Sequence, residues 1–547
     1  MSNTSLQAPV SDPSPGNEVQ HNVNAIFRDV RMQVLIAAMA LVVLTLFYIR
    51  IFGPIVQQSD FASIFLAGRD MLAGNWRLKG WWLPPDPFWT TDIPIYGLAG
   101  LIFGLDPKVL VYVPALLWSA VTVAACAVAV ARGEKRGRLW ALPVILTLLG
   151  LPLLRSSMVM VQVAHAPMHM ASLLLILATF VMAAGAIERG VFPSKTTLGC
   201  LGGTTFLAVA GDPLVVVVGV LPIAGATAIC LYRPLASRLA VVGTVLIASI
   251  TANIALKANE YSGGFAVMHT LTLGFVFASY PQFVANISYI AQNLLRIFGA
   301  WFFDAHVVYA SPELLRLVLL LLAVVIVSRA VKRSLAEFGL TGLARIPSCV
   351  RITPLNAMLM LGIVLDVLAV LVSRVVFDDY SAARYLFPTL VFGAILVARE
   401  AGSWPWVRMV AAAALVSSVF AVVQTYRNGP QQMVLAPPGI RQLASWLEEH
   451  KLAAGYGPFG TAALVTTLSK GEVNMRAIGR DGRGGVDMMR WLTSAAWYPT
   501  PINSRKPAFI VVEKNAPAAA FRESEVVSTF GQPNGRAAVG DYAVLLY

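Results

Sequence analysis

The sequence predicts a mainly α-helical protein that crosses a membrane many times and carries a small α/β domain at its C-terminal end. Three observations support this fold class. Hydrophobic residues make up 57% of the 547 positions and charged residues only 13%, which no ordinary soluble domain tolerates. Long apolar windows follow one another up to about residue 425, and beyond them short alternating stretches replace the long ones.

Windows of about 20 apolar residues are long enough to span a bilayer as helices. They predict about eleven spans, with approximate boundaries. The predicted spans are Met32–Phe52, Val109–Val130, Leu139–Leu154, Pro167–Ile187, Thr197–Gly211, Leu214–Leu231, Leu239–Leu256, Leu314–Val327, Leu355–Val376, Tyr385–Ala398 and Val407–Val423.

The basic residues predict the orientation of these spans. They concentrate in loops of one parity, which the positive-inside rule assigns to the cytoplasm: Arg132, Lys135, Arg136, Arg138, Arg189, Lys195, Arg233, Arg238, Lys332, Arg333, Arg345, Arg351, Arg399 and Arg408. We therefore expect a disordered cytoplasmic leader over residues 1–30, a transmembrane domain over 31–425 and a periplasmic domain over 426–547, all at a bacterial inner membrane. The net charge of +13 thus reflects topology, and a nucleic-acid partner is not expected.

The outward-facing connections are the long ones: Gly53–Pro94, Lys257–Pro312 and the chain after Tyr426. In the first, apolar residues recur at helical spacing from Phe61 to Leu72, which predicts an amphipathic helix in the membrane interface that ends near Gly74. The second is apolar and aromatic, and its pattern leaves open an interfacial helix or an extra span.

The chain after the last span predicts a small α/β domain. Ile440–His450 reads as an amphipathic helix. The stretches "EVNMRAI", "PAFIVVE" and "YAVLLY" read as short strands between turns that contain Gly and Pro.

An acid just after the first span, an amphipathic helix behind it, many further spans and an outer C-terminal domain together resemble the C superfamily of membrane glycosyltransferases. The stretch "SDFASIFLAGRDMLAGN" is similar to the opening of the polyprenol-phosphate-mannose-dependent and aminoarabinose-transferase-like members. The resemblance implies a sugar transferase with a polyprenyl-phosphate donor among the membrane lipids and a glycan, lipid or protein acceptor. It also implies that Asp60 is the catalytic base or positions the acceptor hydroxyl.

The chemistry of such a transfer needs a base beside the attacking hydroxyl and a cation beside the departing phosphate. Asp60 satisfies the first requirement, and its alternative role is that of an N-cap for the predicted helix. The acid that follows, Asp70, lies more than two helical turns further on, which argues against an adjacent metal-binding pair.

The stretch "YSAARYLFP" offers the cation, since Arg binds phosphate through two parallel hydrogen bonds. Arg-Tyr-x-x-Pro stretches occur in lipid-phosphate-dependent glycosyltransferases, so the resemblance assigns Arg384, with Tyr385, to the donor phosphate. The alternative is an Arg that reaches for the lipid surface. Asp378 and Asp379 are expected to pair with Arg384 and orient it.

Three further polar residues stand at predicted outer helix ends. His165 and His169 lie four apart and could bind a phosphate or a sugar hydroxyl; the alternative is an interfacial His with a local partner. Asp212 could bind acceptor hydroxyls or cap a helix. Two His without a third ligand are a weak metal signal, so no metal ligand is assigned and the sequence leaves a divalent metal open.

Two other classes remain as alternatives. A transporter or flippase of lipid-linked sugars would also have many spans, but such proteins place ionisable groups near the membrane midplane. A structural membrane protein would not depend on Asp60. The glycosyltransferase hypothesis accounts for Asp60, Arg384 and the long outer loops together.

Overall fold

The computed structural model describes residues 30–130, 140–153, 168–230, 233–268, 277–303, 310–337, 352–374, 380–401, 404–428, 433–515 and 520–547. Its helices, numbered along the chain, are α1 (Val30–Phe52), α2 (Ser59–Leu72), α3 (Asp92–Phe103), α4 (Val109–Val130), α5 (Ala141–Ile145), α6 (Met170–Glu188), α7 (Lys195–Gly211), α8 (Leu221–Ile229), α9 (Leu235–Tyr261), α10 (Tyr280–Ile297), α11 (Ser311–Glu337), α12 (Pro354–Val372), α13 (Phe387–Ala401), α14 (Pro405–Asn428), α15 (Pro438–Glu449), α16 (Phe459–Leu468) and α17 (Glu523–Phe530). The strands are β1 (Trp81–Leu83), β2 (Ala266–Val267), β3 (Ala454–Gly457), β4 (Asn474–Arg480), β5 (Val486–Met488), β6 (Thr493–Ser494), β7 (Phe509–Glu513), β8 (Gly535–Val539) and β9 (Tyr542–Leu546).

The predicted fold class, a helical membrane bundle with a small sheet-containing C-terminal region, is confirmed. Within the described residues, seven helices are long and apolar enough to cross a membrane: α1, α4, α6, α9, α11, α12 and α14. Each overlaps one of the predicted spans over most of its length. The other predicted spans fall on shorter elements, among them α5 with the π-helical turn Leu146–Gly150 that follows it. The number eleven therefore stays a prediction, as do the orientation and the domain boundaries.

The helix after the first span, α2, differs from the expectation of an interfacial helix with an apolar face toward lipid. Nearly all of its apolar residues are buried in protein, and its main neighbour is α3. The two helices approach so closely at Gly68 and Gly97 that a Cβ on Gly68 would stand 2.5 Å from the backbone nitrogen of Gly97. The glycines let α3 cover the apolar face that was predicted to lie in the membrane interface.

The helix of the second long loop, α10, favours the interfacial alternative by its composition. It has 18 residues and is strongly amphipathic, and it is not among the helices apolar enough to span. Tyr280, Val284 and Ile287, which share one face, are 80%, 49% and 53% exposed. This pattern suits a helix that lies along a membrane surface.

The C-terminal region contains the three predicted strands, now β4, β7 and β9, in a six-stranded sheet of order β5-β4-β3-β7-β9-β8. Strand β3 runs parallel to β4 and to β7, and the remaining pairs are antiparallel. A second sheet, of order β2-β1-β6, joins the two long loops to this region: Trp82 is paired with Ala266 on one side and with Thr493 on the other. The C-terminal region is thereby fixed against the loop that carries Asp60.

Candidate functional site

Asp60 lies in the first turn of α2, and the structure argues against its alternative role as a cap. The N-cap residue of α2 is Gln58, and no side chain caps this helix end. The Asp60 oxygen Oδ1 is buried and has no hydrogen-bond partner among the described residues. A buried carboxylate oxygen without a donor carries an energetic cost, so the carboxylate is available for a group that this structure does not contain.

Two side chains from distant parts of the chain act on this carboxylate. Burial raises the pKa of Asp60, and the charge of Arg384 and a hydrogen bond from Trp491 partly offset the rise. Arg384 precedes α13, and Trp491 belongs to the C-terminal region just before β6. Asp60 therefore stands where the first loop, the turn before α13 and the C-terminal region meet.

Arg384 lies on a 3₁₀ turn, Tyr380–Leu386, that runs directly into α13. Its Nη2 donates to the Tyr385 hydroxyl at 3.3 Å, and its Cζ lies 5.1 Å from the centre of the Tyr385 ring. Its Nε is buried without a partner among the described residues. The two predicted phosphate ligands thus lie together, with guanidinium donors still free to bind an anion. Asp378 and Asp379, expected to orient Arg384, lie outside the described residues.

His169 and Asp212 form a buried pair, with His169 Nδ1 and Asp212 Oδ2 2.6 Å apart. Burial alone would lower the pKa of His169, but the charge and hydrogen bond of Asp212 outweigh it and raise this pKa to about 9. Asp212 follows the end of α7 and its Oδ1 accepts from the backbone of Leu214 at 3.0 Å. His165, the other half of the predicted pair, lies outside the described residues.

The geometry of His169 also departs from the helical face that the sequence predicted. His169 precedes α6 in the left-handed region, with φ +70°, so it is not itself part of a helix face. A left-handed backbone at a non-glycine residue is strained and concentrates at functional sites. Its ring lies between those of Phe88 and Tyr385, with centroids at 5.3 and 5.9 Å, which places it beside the Arg384 turn.

Asp86 joins this pair and was missed by the sequence analysis. Ligand atoms of Asp86, His169 and Asp212 all lie within 4.8 Å of one another. Burial and the nearby Asp212 raise the pKa of Asp86 to about 6. One imidazole and two carboxylates are a donor set that a divalent transition metal accepts. The signal was an acid within the rigid "PPDPF" stretch, where two prolines before the acid and one after it restrict the backbone.

Asp92 adds another buried acid that the sequence analysis did not single out. It is fully buried, and the groups beside its carboxylate include the Thr91 side chain and the Ala171 backbone. Burial raises its pKa to about 7, although the nearby His169 partly lowers it. The acids of this site exceed the cations His169 and Arg384 in number, so a cationic group or protons must balance the charge.

Asp70, by contrast, is structural. Its Oδ2 accepts from the indole nitrogen of Trp81 at 2.6 Å and from the amide of Asn75 at 2.7 Å. These bonds close the turn that follows α2 and hold β1 in place. They support the expectation that Asp60 and Asp70 do not form a metal-binding pair.

Comparison with known proteins places the fold. No family model matches the chain, and no curated protein sequence matches it. Solved structures that share its architecture include two of the same protein. ArnT from Cupriavidus metallidurans bound to undecaprenyl phosphate superposes with a TM-score of 0.53 at 12% identity, over 94% of this chain and 97% of that one. The same protein in the apo state gives a TM-score of 0.53 at 10% identity, over 93% and 97%. The likeness to aminoarabinose-transferase-like proteins predicted from "SDFASIFLAGRDMLAGN" is therefore confirmed at the level of the fold, which this chain shares with ArnT along almost its whole length.

Proposed function

We propose that this protein is a membrane glycosyltransferase that moves a sugar from a polyprenyl phosphate to an acceptor hydroxyl. The observation that carries the proposal is the Asp60 carboxylate, whose Oδ1 is buried and unpartnered among the described residues, in the electrostatic field of Arg384. A base and a phosphate-binding cation close to each other are the groups that this reaction requires. The ArnT structure bound to undecaprenyl phosphate supports the class of donor.

In this proposal Asp60 accepts the proton of the acceptor hydroxyl as the oxygen attacks the anomeric carbon of the sugar. The bond between that carbon and the phosphate oxygen breaks, and the phosphate leaves with the bonding electrons. Arg384 binds the departing phosphate through its free guanidinium donors, which stabilises the charge that develops in the transition state.

The pair His169–Asp212 stands on the same side as Tyr385. With its pKa at about 9, His169 is a cation at neutral pH and adds a second hydrogen-bond donor for a phosphate or a sugar hydroxyl. Asp212 holds the ring in place and offsets its charge.

A specific observation keeps the transporter alternative in view. Asp366 is a fully buried acid within α12, one of the candidate spans, and such acids mark transport pathways in many carriers. Its carboxylate is however bound to Thr389 on the neighbouring helix, which accounts for its presence without a pathway.

Mass spectrometry of co-purified lipids tests the proposal. The Asp60→Asn variant keeps the phosphate ligands but lacks the base, so it should retain a polyprenyl-phosphate sugar that wild type turns over. The Arg384→Ala variant should lose that lipid. Arg296→Ala is the matched control, because Arg296 also lies over an aromatic ring, Trp301, at 4.2 Å but on α10, in the other long loop.

Equal lipid content in all four proteins would contradict the proposal. Transbilayer movement of the lipid in proteoliposomes, unaffected by Asp60→Asn, would favour the transporter. Turnover measured with EDTA and then with added Mn²⁺ would reveal whether Asp86, His169 and Asp212 act as a cation site.

A further inference from the structure

Asp366 is a buried acid within an otherwise apolar helix. It lies in α12, and its side chain is fully buried. Its Oδ2 accepts two hydrogen bonds from Thr389, one from the hydroxyl at 2.6 Å and one from the backbone N–H at 3.1 Å. Its Oδ1 has no partner among the described residues. Placing an acid within the membrane costs free energy. The two hydrogen bonds from Thr389 indicate what Asp366 does there.

Thr389 lies at the N-terminal end of α13. It is in the first turn of α13, directly after Pro388. The first N–H groups of a helix have no acceptor within the helix, and a carboxylate at this end is favoured by both hydrogen bonding and the helix dipole. Asp366 therefore caps α13 from the neighbouring helix instead of from the preceding residue.

The capped end of α13 is also the end of the turn that carries Arg384. The 3₁₀ turn Tyr380–Leu386 continues into α13 without an intervening loop, and Leu386 and Phe387 at the junction are buried. The turn and the helix share this junction. The hydrogen bonds between Asp366 and Thr389 therefore also fix the position of the Arg384 backbone just before α13.

The helix that supplies Asp366 is itself anchored. The amide nitrogen of the buried Asn286, on α10, donates to the carbonyls of Leu371 and Ser373 at 2.9 Å each. These carbonyls lie at the C-terminal end of α12. The contacts thus run from α10 through α12 to the start of α13, and each is made by a buried polar side chain.

We propose that Asp366 is a positioning residue that sets the place of Arg384 in the donor site by capping α13. The inference rests on the proposed function, since it assigns Arg384 to the donor phosphate. It differs from a purely structural role in one respect: loss of the cap should weaken phosphate binding through Arg384 and should have no effect once Arg384 is gone.

The test is a double-mutant cycle on binding of undecaprenyl phosphate to the purified full-length protein. Asp366→Ala should raise Kd about tenfold, the effect of roughly one strong hydrogen bond. Asp366→Asn, which keeps an acceptor oxygen for Thr389, should restore most of the affinity. In the Arg384→Ala background, Asp366→Ala should change Kd less than about twofold.

Tyr48→Phe is the matched control. Tyr48 is equally buried, and its hydroxyl makes a comparable contact between helices, to the carbonyls of Leu149 and Gly150 at 3.2 and 3.0 Å. Its Kd should stay near that of wild type. Should Asp366→Ala fail to fold, Thr389→Val removes only the hydroxyl half of the contact and should give a smaller rise in Kd with the same dependence on Arg384.

The outcomes are distinct. If Asp366→Ala weakens binding equally with and without Arg384, the residue is merely structural and the inference is wrong. If wild type binds through Arg384 and neither Asp366→Ala nor Thr389→Val changes Kd, the inference is wrong while the proposed function stands. If wild type does not bind undecaprenyl phosphate at all, both are wrong.

Discussion

The two long loops of this protein have a similar composition, but the helices they contain differ in burial. In the structure, the first loop extends over residues 53–108, between α1 and α4, and the second over residues 262–310, between α9 and α11. Both are apolar and rich in aromatic residues. In the first, α2 is buried on nearly all its apolar residues. In the second, α10 leaves one apolar face open, with Tyr280 80% exposed.

Small residues and fixed acids explain the difference. The first loop has Gly68 and Gly97, which allow two helices to touch at backbone distance, and Asp70, which ties α2 to β1 through Trp81. The second loop is attached at its polar residues, as through Asn286, and its apolar face has no covering helix among the described residues. Helix α2 is therefore enclosed by protein beside the candidate site. The exposed apolar face of α10 suits lipid, as do the apolar side chains that α3 leaves exposed on its outer side.

The largest expected effect falls on the first loop. Asp60→Asn should lower the turnover of the co-purified donor lipid by about 10²–10⁴-fold, the usual contribution of a general base. Expression, thermal stability and lipid binding should stay near wild type, because Asp60 caps no helix end. Normal transfer by this variant would show that Asp60 of the first loop is not the base. Should the variant misfold, Asp60→Glu keeps the base and moves it by one methylene.

The next effect concerns the close crossing of α2 and α3 in the first loop. Gly68→Leu should destabilise the protein by about 1–3 kcal/mol, since the new side chain must displace the backbone of α3. Its unfolding temperature in detergent should fall and its turnover with it. Gly199→Ala and Gly203→Ala on α7 are controls, because a Cβ at either meets nothing within 4 Å. An unfolding temperature for Gly68→Leu that matches these controls would show that the tight crossing is not what holds the loop.

A smaller effect links the first loop to the C-terminal region. The base must be ionised, so turnover falls as the pH drops through the pKa of Asp60, which burial already raises. Trp491→Phe removes a hydrogen bond that favours the carboxylate, so it should raise this pKa further and move the acidic limb of kcat/KM to higher pH.

Trp497→Phe is the control for this shift. The Trp497 ring contacts Trp81 at 4.9 Å on the same boundary and is not among the groups that act on Asp60. An unchanged acidic limb in the Trp491 variant, measured beside this control, would show that Trp491 does not influence the pKa of the base.

The smallest effect is expected on the second loop. Val284→Ser and Ile287→Ser alter the exposed face of α10 and should change stability in detergent by less than about 0.5 kcal/mol, with turnover unchanged. The same unfolding and turnover assays measure both. A drop in turnover beyond a few-fold would make α10 a part of the site and would end the contrast between the loops.

Local sequence signals identified much of the candidate site. Asp60 was found from its place after an apolar span, and Arg384 with Tyr385 from a cation beside a predicted span. His169 and Asp212 were each singled out, although their contact at 2.6 Å was not predicted. Their pairing depends on how α6 and α7 pack. The periodicity of apolar residues does not predict the distance between the ends of two helices.

The residues that were missed share a physical reason. Asp86 and Asp92 looked like ordinary loop acids, and Asp366 interrupts an apolar stretch in a way that the search for spans ignores. Asp86 and Asp92 gain their importance from burial beside charges that are remote in the chain, and Asp366 gains its importance from the hydrogen bonds of Thr389 on the neighbouring helix. Trp491 is the clearest example, since more than four hundred positions separate it from Asp60.

The sequence by itself determined the membrane class, the positions of the long apolar helices, three of the C-terminal strands and the acid after the first span, because hydrophobic length and periodicity are properties of each local stretch of chain. Tertiary structure alone decided that α2 is buried and α10 is not, that His169 pairs with Asp212, and that Asp366 caps α13. Close backbone approach and the mutual burial of charges depend on which helices become neighbours, and that choice is made by packing across the whole chain.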